Sequence, residues 1–70
     1  MTQHVVYVNG EARPLREETV AELLQSMGLP PEKPGIAVAV NAEIVPREAW
    51  RTHRLNPNDR VEIVQAVAGG

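Results

Sequence analysis

The sequence predicts an α+β domain in which one amphipathic helix packs on one face of a sheet. Three observations support this fold class. A β-branched segment near the start ends in Asn-Gly, a capped amphipathic stretch follows over residues 19–28, and the second half contains short apolar runs of strand length. Seventy residues, 43% of them apolar, are enough for one small domain and leave no room for a second.

The first predicted element is a β-hairpin. Residues 5–8 are all β-branched or aromatic, which predicts a strand that is apolar on both faces and interior to the sheet. Asn9-Gly10 is the dipeptide best suited to a two-residue turn with positive φ at both positions. Residues 11–16 are expected to return antiparallel, and Pro14, which has no N–H to donate, places this strand at an edge.

A helix of about three turns is predicted next. Thr19 is a suitable N-cap and Glu22 completes a capping box. Gly28 stands where a left-handed residue would end the helix, with Leu29 placed for the accompanying apolar contact. The apolar stripe of this helix consists of Val20, Leu23, Leu24 and Met27.

Short strands occupy the rest of the chain. Residues 36–40 predict a buried strand, and residues 44–45 a brief one after a turn at 41–43. Pro46 is favourable at the first position of a short helical turn, which is predicted over residues 47–50.

The last strand is expected over residues 60–67, after a turn at residues 56–59. Its alternation places Val61, Ile63 and Val67 on one face and Glu62, Val64 and Ala66 on the other. The long crossover between the hairpin and residue 36 allows parallel pairing through a right-handed connection.

Composition excludes several classes of function. The chain has no cysteine, so disulfides, thiolate metal ligands and thiol nucleophiles are absent. A net charge of −2 disfavours nucleic acid as a partner. With neither a membrane-length apolar run nor a signal-peptide pattern, the chain is expected to be soluble and cytoplasmic, without a membrane partner.

The polar side chains do not suggest an active site. His4 and His53 lack the local spacing of metal ligands, and Ser26 has no base nearby in sequence. Glu17 and Glu18 suit a helix N-terminus. We therefore expect no catalytic residues, no metal and no cofactor bound by this chain, which is predicted not to be an enzyme.

Trp50 lies among three arginines, an arrangement that also occurs in anion-binding patches. Residues 36–70 nevertheless carry four positive and four negative charges, so no net basic field results. We expect Trp50 to pack into the core while Arg47, Arg51 and Arg54 face water.

The C-terminal Gly69-Gly70 has no evident capping or turn role, and a frayed end is its simplest explanation. Residues without Cβ, however, can enter a channel too narrow for side chains. Residues 66–70, extended, would carry the carboxylate roughly 16 Å from the domain. Reaction there requires activation, for which acyl-adenylate formation by a separate ATP-using enzyme is the natural route. We predict a domain over residues 1–66 and a flexible tail over 67–70.

This combination resembles the ubiquitin-like β-grasp sulfur carriers, most closely the ThiS family of thiamin thiazole biosynthesis. The resemblance covers essentially the whole chain, and its most discriminating stretch is Asn-x-x-Ile-Val-Pro-Arg-x-x-Trp, which the molybdopterin-synthase small subunits lack. One departure is Asn58, where the family often has Gly before Asp59. The other matching segments are Val8-Asn9-Gly10-Glu11, residues 19–24 and residues 59–70.

The resemblance implies a β-grasp fold, with a mixed four- to five-stranded sheet and one main helix across one face. It also implies a sulfur-transfer cycle. An E1-like, ThiF-type adenylating enzyme would use ATP and Mg²⁺ to activate Gly70. Persulfide sulfur from a donor enzyme such as a cysteine desulfurase would then leave a thiocarboxylate on Gly70, and this would deliver sulfur to a ThiG-type thiazole synthase.

In this cycle Gly70 is the covalent attachment point and Gly69 gives clearance in the partner's channel. Three other interpretations remain open: a sulfur carrier for molybdopterin, cysteine or tRNA thiolation, a protein modifier, and a non-covalent interaction module. The residues expected to extend the reach of the tail are Ala68, Val67 and Ala66, and those expected on the docking surface are Glu62 and Val64.

Overall fold

Five strands form one sheet in the computed structural model, which describes residues 4–16, 18–30 and 32–66. The strands are β1 (Val5–Val8), β2 (Glu11–Pro14), β3 (Ile36–Val40), β4 (Glu43–Ile44) and β5 (Arg60–Gln65). Helix α1 (Val20–Ser26) joins β2 to β3, and a 3₁₀ turn (Arg47–Ala49) follows β4. No helix within the described ranges is long and apolar enough to cross a lipid bilayer.

The sheet has the strand order β2-β1-β5-β3-β4. β5, the last strand in sequence, is central, parallel to β1 and antiparallel to β3. With one α-helix across a mixed sheet, this is the ubiquitin-like β-grasp arrangement, so the predicted fold class is confirmed. The interior position of β1 and the edge position of β2 are confirmed as well.

The first hairpin turns through Asn9 and Gly10, which have φ values of 50° and 86°. Val8 pairs with Glu11, so the loop has the predicted two residues and both have positive φ. The prediction that β2 extends to residue 16 is wrong, because the strand ends at Pro14 and Leu15 packs against the core.

Both ends of α1 are capped as predicted. The Thr19 hydroxyl accepts from the Glu22 N–H at 3.3 Å, and the Glu22 carboxylate accepts from the Thr19 N–H at 2.9 Å. At the other end, Gly28 has φ 79°, and the Leu29 N–H donates to the Leu24 carbonyl at 2.8 Å.

The helix is shorter than predicted. It contains seven residues, about two turns rather than three. Met27 already has the non-helical φ and ψ values of −94° and 3°, because the left-handed Gly28 tightens the last turn. Met27 still packs against the core, so the apolar stripe extends one residue beyond the end of the helix.

The core lies between α1 and one face of the sheet and is aliphatic except for Trp50. The prediction of a buried β3 is only half right, because the strand alternates: Ala37 is exposed and Ala39 half-buried. The small size of alanine, rather than burial, explains why this apolar run is unbroken. The fully buried side chains are Val6, Val20, Leu23, Leu24, Val38, Trp50 and Val61.

Three boundaries in the second half differ from the predictions. β4 lies one residue earlier than expected because Val45 turns into the core. Pro46 is extended, with ψ 150°, and precedes the 3₁₀ turn at the N-cap position instead of standing at the first position of the turn. β5 ends at Gln65; Ala66 follows the strand, and Val67, the last residue of the predicted strand, lies outside the described residues.

Candidate functional site

The candidate site is built on β5, whose position is set by asparagines in the two hairpin turns. The Asn9 side chain accepts from the Ile63 N–H at 2.9 Å and donates to the Ile63 carbonyl at 3.2 Å. On the other side of β5, the Asn41 side chain accepts from the Arg60 N–H at 3.0 Å. These side-chain amides form hydrogen bonds that extend the backbone ladder of the sheet, and each acts as an additional rung of that ladder. Both edges of the central strand β5 are therefore fixed by hydrogen bonds.

Asp59 fixes the start of β5. Its side chain is buried, and it accepts from the Asn41 amide at 2.9 Å and from the Asn56 N–H at 2.8 Å. Asn58 immediately before it has φ 68°, the left-handed conformation that glycine adopts most readily. Asparagine tolerates this region well, so the departure from the family pattern preserves the turn.

The sheet face opposite α1 is exposed, and we call it the outer face. Glu62 and Val64 both lie on it, where Val64 is 62% exposed and pairs across the ladder with Ala37. Glu62 pairs with Ala39, which in turn pairs with Ile44 of β4, a side chain that is 78% exposed. The face therefore carries two uncovered branched apolar side chains beside one carboxylate.

Sequence reasoning missed most of this outer face. Ile44, Ala37 and Ala39 complete it, together with the partly exposed Tyr7 of β1. Small alanines alternating with large aliphatics in β3 were the available signal, because strand residues alternate between faces. The exposure of Ile44 had no such signal, because two adjacent large aliphatic residues, Ile44 and Val45, do not indicate which of the two faces the core.

The end of the outer face that lies between the two hairpin turns contains an open groove of about 880 Å³. Its walls are the two hairpin turns, and Tyr7, Arg60 and Glu62 line it. Opposite charges on neighbouring side chains leave it without a net field for an anion. The groove therefore does not resemble a site for a phosphate or a nucleotide.

Of the five residues predicted to extend or form the tail, the structure places only Ala66. Ala66 is exposed, and its N–H donates to the Gly35 carbonyl at 2.7 Å. The site residues Val67, Ala68, Gly69 and Gly70 lie outside the described residues, as does the predicted tail over 67–70. Val64 and Ala66 are two residues apart, so the start of the tail follows directly from the strand that carries the outer face.

The remaining polar candidates have structural positions. The Ser26 hydroxyl donates to the Leu23 carbonyl at 2.7 Å within the helix. His4 is exposed and His53 is half-buried. Across the described part of the chain, no three His, Asp or Glu side chains come together as metal ligands would.

Trp50 packs into the core as predicted, and the three arginines around it are exposed. The indole N–H donates to the Val45 carbonyl at 2.9 Å. The Arg47 guanidinium stacks over the indole, with its Cζ atom 4.5 Å from the ring centroid. The Arg-x-x-Trp part of the segment that resembles the family therefore corresponds to a direct contact between Arg47 and Trp50.

Glu18 is half-buried beside the helix N-terminus, away from the outer face. Desolvation raises the pKa of its carboxyl, and the nearby Glu22 carboxylate raises that pKa further, against smaller opposing effects of Arg16 and Arg13. Glu18 lies directly before the N-terminus of α1, where a negatively charged side chain is favourable, so a carboxylate here has a structural explanation. No reactive partner accompanies it within the described ranges.

Comparison with known proteins identifies the family. The ThiS family model matches residues 6–70. The sulfur carrier protein ThiS of Escherichia coli K12 is 42% identical over 53 residues, covering 76% of this chain and 77% of that protein. The sulfur carrier protein ThiS of Thermus thermophilus is 38% identical over 66 residues, covering 94% of this chain and 100% of that protein.

A thiazole synthase of Paramagnetospirillum magneticum is 38% identical over 64 residues, 90% of this chain but 19% of that protein. The crystal structure of the thiamine biosynthesis protein ThiS from Geobacter metallireducens superposes with a TM-score of 0.76 at 26% identity, covering 94% of this chain and 99% of that one. The chain therefore belongs to the ThiS family of sulfur carrier proteins of thiamine biosynthesis.

Proposed function

We propose that this chain carries sulfur as a thiocarboxylate on Gly70 and delivers it to a thiazole synthase. The observation that carries the proposal is the family match, which extends to the last residue and so includes Gly69-Gly70. The chain contributes no chemistry of its own beyond a terminal carboxylate. An adenylating enzyme supplies the activation, and that enzyme binds the ATP and Mg²⁺.

The cycle begins with attack of the Gly70 carboxylate on the α-phosphorus of ATP, which forms an acyl-adenylate and releases pyrophosphate. The terminal sulfur of a cysteine-derived persulfide then attacks the acyl carbon. AMP leaves, and an acyl disulfide forms. A thiol reduces the S–S bond, is itself oxidised to a disulfide, and leaves the thiocarboxylate on Gly70. Transfer of that sulfur to the thiazole precursor and hydrolysis restore the carboxylate.

The thiazole synthase of Paramagnetospirillum magneticum supports the final step. A segment similar to 90% of this chain occupies 19% of that polypeptide. Covalent linkage of a carrier to the enzyme that consumes its sulfur would raise their effective concentration. A thiazole synthase is therefore the acceptor that we propose for this chain.

The outer face is the docking surface that we propose for the adenylating enzyme. Val64 and Ile44 present exposed apolar area, which in a monomer commonly marks an interaction site. Glu62 between them adds one negative charge, so the complementary surface is apolar with a cation beside it. Because Ala66 follows β5 directly, a protein bound at Val64 is within reach of the tail.

In this proposal Gly70 is the attachment point, and Gly69 passes through a channel too narrow for a side chain. The small or slender side chains of Ala66, Val67 and Ala68 lengthen the reach of the tail. A carrier of this kind visits two enzymes in turn while its sulfur stays covalently bound.

Intact mass spectrometry tests the proposal. The chain is incubated with a ThiF-type adenylating enzyme, ATP and a persulfide donor, and a mass increase equal to exchange of one oxygen for sulfur is expected on Gly70. A chain lacking Gly70 is the control, and it should melt at the same temperature without acquiring sulfur. An unchanged mass, with the enzyme active on a known carrier, would instead support a non-covalent interaction module.

A further inference from the structure

The start of the tail is attached to a loop on the neighbouring strand. The last registered pair of β3 and β5 is Ile36 with Gln65, and one residue further the Ala66 N–H donates to the Gly35 carbonyl at 2.7 Å. A Cβ built on Gly35 would lie 3.4 Å from the Cβ of Ala66, so the two residues are in direct contact. The position of Gly35 therefore sets where the chain leaves the sheet.

The segment that ends in Gly35, residues 32–35, is held by two arginines from the 3₁₀ turn and the residues after it. The Arg47 guanidinium donates through Nη2 to the Lys33 carbonyl at 2.9 Å. Arg51 lies 3.6 Å from the Glu32 carboxylate, but both side chains are at least 70% exposed. Exposed ion pairs contribute little. The Arg47 hydrogen bond is also exposed, but its guanidinium is held over the buried Trp50 ring, so it is the better-defined attachment.

Trp50 determines where the Arg47 guanidinium lies. Side chains three residues apart eclipse in a 3₁₀ helix, which brings Arg47 over the indole. The indole is only 2% exposed and is oriented by its hydrogen bond to Val45, so it is a rigid platform. The contacts thus run from the core through Arg47 and the Lys33 carbonyl to Gly35 and Ala66.

We infer that Arg47 is a positioning residue for the sulfur-transfer tail: through residues 33–35 it fixes the place of Ala66, the residue from which the tail begins. This inference rests on the proposed function, in which the tail must enter an active site while the outer face is bound. Fixing one backbone residue beforehand is worth roughly a factor of ten in an equilibrium constant. The Pro-Arg-x-x-Trp segment would then serve the tail as well as the core.

The test compares Arg47→Met, which keeps the apolar stem and removes the guanidinium, with Arg47→Lys, which retains a cation and a donor. Arg54→Met is the matched control, because Arg54 is an exposed arginine of the same region and makes no hydrogen bond to residues 32–35 within the described structure. Two quantities are measured for each variant: hydrogen exchange at the Ala66 amide, and the KM for the carrier in ATP–pyrophosphate exchange catalysed by a ThiF-type enzyme.

Arg47→Met is expected to accelerate Ala66 exchange about tenfold and to raise the KM by a similar factor, with kcat unchanged. Arg47→Lys should recover part of both effects, and Arg54→Met should show neither. The Ile63 amide, which is bonded to Asn9, reports global opening, and its exchange should rise less than that of Ala66.

Three results would overturn the inference. Equal acceleration at Ala66 and Ile63 would mean that Arg47 only stabilises the domain. Faster exchange at Ala66 with an unchanged KM would mean that the contact does not serve the reaction. A raised KM with unchanged Ala66 exchange would mean that Arg47 touches the enzyme directly. If the chain lacking Gly70 still supported pyrophosphate exchange, the proposed function would fail, whereas Ala66 exchange would still test the contact.

Discussion

The side-chain amide of Asn9 hydrogen-bonds to both backbone polar groups of Ile63, a residue 54 positions later in the chain. The registered pairs of β1 and β5 end at Val8 and Val61. The Asn9 side chain therefore adds a further rung to the only parallel pairing of the described sheet. A residue suited to its turn by conformation also connects the first hairpin to the last strand.

Replacing Asn9 with glycine should separate these two roles. Asn9→Gly retains the positive φ but loses both hydrogen bonds, so the free energy of unfolding should fall by about 1–3 kcal/mol. Urea denaturation measures the change. Asn58→Gly is the matched control, because Asn58 also has positive φ and its side chain makes no hydrogen bond in the described ranges. Equal losses in both variants would show that glycine entropy, rather than the rung, is responsible.

Ala42 occupies the second position of the β3–β4 turn with φ 69°, a conformation that strains alanine, which lacks the polar side chain that helps asparagine to adopt it. Ala42→Gly should relieve this strain and raise the free energy of unfolding by about 0.5–1 kcal/mol after the entropic cost of glycine. Thermal unfolding measures the gain. Ala12→Gly, in the regular strand β2, should have the opposite sign; destabilisation in both variants would contradict the strain at Ala42.

Stability should depend on pH through Glu18. Desolvation and the Glu22 carboxylate raise the pKa of this carboxyl in the folded chain. The folded state then binds the proton more tightly than the unfolded state. The stability that protonation of Glu18 contributes is therefore complete below the unfolded pKa and is lost as pH rises through the folded pKa.

Glu18→Gln should therefore be more stable than the wild type at neutral pH and should match it at pH values below the unfolded pKa. Urea midpoints collected across the acid range measure this. The corresponding change at the exposed Glu43 is the control for the removal of one carboxylate from the chain. A wild-type stability that increases with pH across this range in comparison with Glu18→Gln would contradict the sign.

Val64→Asp should impair adenylation without unfolding the chain. Loss of a central apolar contact at an interface costs about 2 kcal/mol, which corresponds to a roughly thirtyfold fall in kcat/KM. Val64→Thr keeps the shape of the side chain and should have a much smaller effect. Pyrophosphate exchange and melting temperature are measured together. Unimpaired adenylation of a folded Val64→Asp would remove the outer face from the docking surface.

Gly69→Val should block the reaction at the tail. A branched side chain excluded from a narrow channel displaces the carboxylate, and a misplacement of about 1 Å is enough for a hundredfold loss of rate. Ala68→Gly is the control and should react normally. Pyrophosphate exchange with saturating carrier measures the effect, and wild-type rates for Gly69→Val would refute the narrow channel.

Contacts between near neighbours could be predicted from the sequence. The Asn9-Gly10 turn, the Thr19–Glu22 capping box and the left-handed Gly28 each depend on residues within four positions of one another. Such geometry is decided by local backbone sterics and hydrogen bonding, so residue types alone indicate it. The division of β5 into a buried face and an outer face also follows from strand alternation, although the exact strand ends do not.

Contacts between residues that are far apart in the sequence depended on the tertiary structure. The central place of β5, the Asn9 and Asn41 rungs, and the contact of Arg47 with the Lys33 carbonyl connect residues 14 to 54 positions apart. β4 begins at Glu43 rather than at Ile44 because the packing of Val45 in the core competes with local strand preference. The sequence by itself thus determined the elements and the glycine end of the chain, whereas the fold alone decided which side chains surround the start of the tail.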